Sequence, residues 1–131
     1  MKQTFEIAAK MPSLNELIRA KGAFGGGAGK RWNGYNAMKK QWSEVVAQAS
    51  RRYGIKHVER ARLGFEWHES TWRRDPDNVS SGGRKLILDS LVKTGLLPGD
   101  GPKNVHGFSD AFAYGAERDL VVITLEEVER D

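Results

Sequence analysis

Residues 59–69, ERARLGFEWHE, alternate apolar and polar positions, and the segment that follows, STWRRDPDN (70–78), ends the alternation at a proline. Ala61, Leu63, Phe65 and Trp67 point one way, and Arg60, Arg62, Glu66 and His68 point the other. A period of two marks a half-buried strand. Beyond it, SSGGRKLILDSLVKTG (80–95) changes period, with Ile87 and Leu91, and Leu88 and Val92, each four apart on one side of a helix. Ser80 or Ser81 suits its N-cap and Gly95 its end. Between strand and helix, Pro76 lacks an N–H and biases Asp75 toward extended geometry. The expectation is therefore a strand, a non-helical link carrying Asp75 and Asp77, and a helix.

Outward from this unit the chain keeps mixing the two periods. TFEIA (4–8) reads as a short strand. Ser13, with Glu16 three residues on, has capping-box spacing and predicts a short helix from about Leu14 to Ala20. KGAFGGGAGKRWNGYN (21–36) is glycine-rich and basic, and is expected to be a flexible loop. Met38, Trp42, Val45, Val46, Ala49 and Tyr53 recur at helical spacing. A weaker strand is expected over about 104–114 and a strong one over DLVVITLEEV (119–128), before an acidic tail at 126–131. The sum is one α/β (α+β) domain over 1–131, a small mixed sheet of about four strands with two main helices.

Composition narrows the function classes. At 39% apolar and 29% charged residues, the chain has the make-up of a globular protein rather than a disordered one. It has no cysteine, which excludes disulfides, thiolate metal sites and thiol nucleophiles. The N-terminus lacks a signal-type apolar run, and a cytoplasmic location is expected. Charge is lopsided: residues 1–56 hold 11 Lys and Arg against 3 Asp and Glu, and residues 57–131 hold 10 against 14. A basic half suits a polyanion, and an acidic half with clustered carboxylates suits a cation. His57, His68 and His106 have no zinc-ligand spacing. GGGAGKR lacks the glycine and the Ser/Thr of a phosphate-binding P-loop, with Phe24 and Arg31 in their places. A basic loop over a polyanion, with Lys30, Arg31 and Trp32 together, fits it better.

Asp75 and Asp77 on extended backbone would project the same way. At about 5–6 Å they would repel by on the order of 3 kcal/mol at an effective dielectric of about 20. A hard divalent cation relieves that repulsion, and oxygen-only ligands suit Mg²⁺ or Mn²⁺. A plain surface turn is the competing reading, since Asp, Pro and Asn all favour turns.

The longer string, WRRDPDNVSSGGRKLILDSLVKTGLLPGDGPKNV (72–105), resembles the RusA family of Holliday junction resolvases. The resemblance is carried, in order, by Arg73, Arg74, Asp75, Asp77, Asn78, Lys85, Asp89, Leu91, Gly95 and Asp100. MPSLNE (11–16) and YNAMKKQWSE (35–44) are similar to its phage-type branch. The link VSSGG is longer than in the shortest members, and the later turn offers one acid, Asp100, where members often have two. The resemblance implies a homodimer that binds four-way DNA junctions and nicks two strands by Mg²⁺-dependent phosphodiester hydrolysis, with Mn²⁺ as a substitute. It implies Asp75, Asp77 and Asp100 as metal ligands and Lys85 as a catalytic cation at the helix start, with Asp89 either orienting Lys85 or joining the acids. Lys30, Arg31, Lys39, Lys40, Arg73 and Arg74 are the expected phosphate contacts. A non-catalytic branched-DNA-binding protein, and a nuclease for other branched DNA, remain alternatives.

Overall fold

The computed structural model describes residues 1–21 and 28–129, and for residues 28–33 the backbone alone. Its elements run β1 (Lys2–Ile7), α1 (Leu14–Ala20), α2 (Ala28–Arg52), β2 (Ala61–Glu69), α3 (Pro76–Lys93), β3 (Val105–Tyr114) and β4 (Leu120–Glu127). This is an α+β fold: among the described residues, three helices pack with a four-stranded mixed sheet of order β1-β4-β2-β3.

β4 pairs antiparallel with both β1 and β2, and β3 lies parallel to β2 at the sheet edge. The alternation read in β2 sets its faces. Ala61, Leu63, Phe65 and Trp67 are buried on the side that also carries Phe5 and Ile7 of β1 and Val121, Ile123 and Leu125 of β4. Val46 of α2 and Leu86, Ile87 and Leu91 of α3 complete this core. The opposite face of β2 is polar, and there Arg62 pairs with Glu126 of β4. No helix among the described residues is long and apolar enough to cross a membrane.

Three sequence expectations about boundaries are corrected. Of the loop expected at 21–36, residues 22–27 lie outside the described residues, but from Ala28 the backbone is already helical. Gly34 there serves contact rather than freedom, because a Cβ on it would lie 2.5 Å from the carbonyl oxygen of Ala20 at the end of α1. Similarly, α3 starts not after SSGG but at Pro76, whose missing N–H is no loss in a first turn. Asp75, not Ser80 or Ser81, is the N-cap residue, and Asp77 is inside the helix rather than on an extended link. Gly82 and Gly83 lie mid-helix because the neighbours are tight: added Cβ atoms would meet Ser13 C at 2.3 Å and the Trp67 ring at 2.5 Å.

Candidate active site at the start of the third helix

β2, α3 and β3 form a strand–helix–strand unit with parallel strands. The five residues 70–74 turn the chain from the end of β2 into α3, and a group of polar contacts fixes that turn. Glu69, the last residue of β2, is only 4% exposed. Arg74 donates from Nε and Nη2 to its two carboxylate oxygens at 2.8 and 2.7 Å, a bidentate pair. Arg74 Nη1 donates to the carbonyl of Met11 at 2.8 Å, and Glu16 lies 3.7 Å away. Burial works against the guanidinium charge, and the carboxylates of Glu69, Glu16 and Asp119 together more than offset it, so Arg74 is held above its ordinary pKa. Asp119 accepts from the backbone N–H of Ser70 at 2.8 Å, a bond that draws its pKa below the usual carboxylate value. Tyr114 Oη donates to the carbonyl of Arg74 at 2.5 Å.

The residues so positioned are Asp75 and Asp77, both exposed. Asp75 has extended backbone (φ −68°, ψ 144°) and makes no side-chain cap bond, while its carbonyl accepts the first helical bond from Val79. Ser81 Oγ donates to Asp77 Oδ1 at 3.3 Å. Among the described residues neither carboxylate has a cation within ion-pair distance. Asp75 is close enough to help raise the pKa of Tyr114, behind burial and Glu69. Asn78 ties the helix start to α1 by accepting from the backbone N–H of Asn15 at 3.1 Å. The MPSLNE stretch thus packs directly under the site through Met11, Ser13, Asn15 and Glu16.

The expected trio of acids does not assemble within the chain. Asp75 and Asp77 stand at the first turn of α3, whereas Asp100 follows its far end. α3 has 18 residues, about 27 Å at 1.5 Å per residue. The carbonyl of Asn104 accepts from Ala61, the first residue of β2, and the carbonyl of Gly101 accepts from Asn104, so Asp100 lies at the opposite end of the sheet from Glu69. The separation is on the order of 25 Å. Among the described residues no group of three or more His, Asp or Glu side chains is placed to hold a metal ion.

The cations divide in the same way. Lys85 is not at the helix start: it lies eight residues beyond Asp77, about 12 Å along the axis. Its Nζ is 3.3 Å from Asp89 Oδ1, and Asp89 also accepts from Tyr35 Oη at 2.8 Å, so Asp89 is bonded to Lys85 and Tyr35, twelve residues along the chain from Asp77. Burial, then the Asp89 bond, drives the Tyr35 pKa far up. Arg74, expected on phosphate, is instead the 12%-exposed clamp on Glu69. Arg73 is exposed. Lys40 lines a groove between α2 and the end of α3 together with Arg51 and Lys93, and Lys39 is its half-buried neighbour on α2. The side chains of Lys30, Arg31 and Trp32 lie outside the described residues.

Sequence reasoning missed Glu69, Tyr114, Asp119 and the packing role of Arg74. Glu69 carried a usable signal, a charge at the apolar phase of the β2 alternation that has to find a buried partner. Tyr114 and Asp119 are brought in by the sheet and have no local signal.

No protein-family model matches this chain, and no curated protein matches it.

Proposed function

We propose that the chain is a divalent-metal-dependent endodeoxyribonuclease that acts on four-way DNA junctions as a homodimer, the activity that its resemblance to the RusA resolvases implies. The observation that carries the reading is the contrast at the turn after β2. A buried bidentate ion pair fixes the loop, and the two carboxylates it presents are exposed and, among the described residues, without a cation partner. Asp89 and Asp110, by contrast, are each paired with a cation on α3.

The donor set fits the ion. Mg²⁺ keeps several waters and commonly takes one or two carboxylates, with substrate phosphate supplying the rest. Asp75 and Asp77 are such a pair, and the ion would supply Lewis acidity and an activated water for phosphodiester hydrolysis. Around it the chain's own groups divide the work. Arg73 meets backbone phosphate beside the acids, and Lys40, Arg51 and Lys93 meet phosphate along the α2–α3 groove, with Lys39 next to them on α2. Lys85, held by Asp89, supplies positive charge to a strand crossing α3. Asp100 can reach such a site only as Asp100 of the partner subunit, with a two-fold axis setting α3 of one copy antiparallel to α3 of the other.

The test is a labelled four-way junction incubated in Mg²⁺ and resolved on a denaturing gel. Wild-type protein is expected to give paired nicks, with Asp75→Asn and Asp77→Asn reducing cleavage at least a hundredfold while gel-shift binding stays near wild type. Cleavage that survives both substitutions removes the assignment. The separation of Asp100 from the other two acids favours, as a second reading, a branched-DNA-binding protein without catalysis. That reading is selected if wild type binds the junction and leaves it uncut in both Mg²⁺ and Mn²⁺.

A further inference from the structure

We infer that Trp72, Tyr114 and Phe112 form a stacking platform for unpaired nucleobases beside the Asp75–Asp77 pair, an inference that rests on the DNA reading above. The platform follows from the position of β3. Register places Phe108, Asp110, Phe112 and Tyr114 opposite Leu63, Phe65, Trp67 and Glu69, on the face that helices cover over the rest of the sheet. At this edge the cover runs out, leaving Phe108 51% and Phe112 37% exposed.

Trp72 extends the row from outside the strand. It is 77% exposed, and its ring lies nearly parallel to Tyr114, with centroids 5.4 Å apart and planes 22° apart. Phe112 continues the series at 6.5 Å and 17° from Tyr114. The arrangement is built in. Gly115 has a positive φ of 71°, and a Cβ there would press to 3.0 Å from the Trp72 indole nitrogen. Tyr114 is fixed by its bond to the carbonyl of Arg74, the residue before Asp75. Aromatic faces beside cationic groups are how proteins hold unstacked bases without reading sequence. Arg73 follows Trp72 in the chain, and the exposed Arg118 lies in the turn after Gly115, giving the phosphates of a stacked strand positive charge close by. A second copy pairing along the β3 edge would bury Phe108 and Phe112 in mid-strand.

The experiment uses the full chain in EDTA and a four-way junction carrying 2-aminopurine at the branch point or, as control, in mid-arm. Wild type is expected to quench the branch-point probe more than the mid-arm probe. Trp72→Ala should abolish that difference and weaken binding about tenfold, the scale of one base–aromatic stack, with Trp72→Phe retaining most of both. Binding and quenching by Trp72→Ala that match wild type overturn the platform and leave the nuclease reading standing. Dissociation of a dimer by Trp72→Ala in sedimentation, with junction affinity unchanged, assigns the rings to a contact between copies and also overturns it. Failure of wild type to bind any branched DNA overturns the underlying reading, and shows before a variant is made.

Discussion

At the scale of single residues, two adjacent arginines stand in opposite environments. Arg74 is bonded to both oxygens of Glu69, and the pair is nearly sealed from water. Removing one member of such a pair leaves a buried charge without compensation, at about 3–5 kcal/mol. Arg74→Ala is therefore expected to lower the melting temperature sharply and to lose cleavage through disorder of the 70–74 turn. Arg73 is exposed, and Arg73→Ala should leave melting unchanged, weaken junction binding and reduce the slope of log affinity against log salt by roughly one ion. Equal melting losses in the two variants would show that Arg74 is not a structural clamp. In the sequence the two looked alike, a basic run before an Asp-x-Asp. Their roles separate only when Glu69 is counted as buried, which its phase in the β2 alternation already implied.

At the scale of elements, periodicity located the secondary structure and misplaced two helix starts, for one physical reason. Glycine was read as freedom or termination, whereas Gly34, Gly82 and Gly83 are places where a helix touches something too closely for a side chain. Proline misled similarly: Pro76 was read as excluding a helix, yet at N1 its fixed φ starts one. The strands escaped this ambiguity because alternation in β2 and β4 has no second interpretation once one face is apolar. The contact reading of glycine makes its own prediction. Gly82→Ala would drive a Cβ into the backbone of Ser13 and Leu14 at 2.3–2.4 Å, where rigid neighbours cannot yield, and overpacking of this kind costs about 1–3 kcal/mol. The variant should melt lower than wild type, whereas Ala in place of Gly101, an exposed turn glycine without a positive φ and with open space around it, would be neutral or stabilising. A Gly82→Ala protein as stable as wild type would mean that α3 does not sit against the 12–14 segment as described.

At the scale of the whole molecule, the order of acids along the chain concealed their separation in space. Asp75, Asp77 and Asp100 read as one motif, but α3 intervenes, and its length alone puts Asp100 at the other end of the unit. In the nuclease proposed above, Asp100 would either take no part in the chemistry or serve a site on a second copy; a two-fold axis reversing α3 against its mate is the arrangement that would join them. Mixed dimers distinguish these. Asp75→Asn and Asp100→Asn proteins, each alone, are expected to leave a four-way junction intact. If Asp100 acts across the dimer, a protomer of each makes one site with both substitutions and one site with neither. Co-refolded mixtures should then regain nicking, and because only one site per dimer is whole, the product should be a singly nicked junction rather than resolved duplexes. If both acids act within one protomer, every site in the mixed dimer carries a substitution and the mixture stays as inactive as its parts. If Asp100→Asn alone cleaves like wild type, the acid takes no part, and the pair at the start of α3 carries the metal with substrate phosphate alone. Denaturing gels with each strand labelled in turn read all three outcomes from one set of proteins.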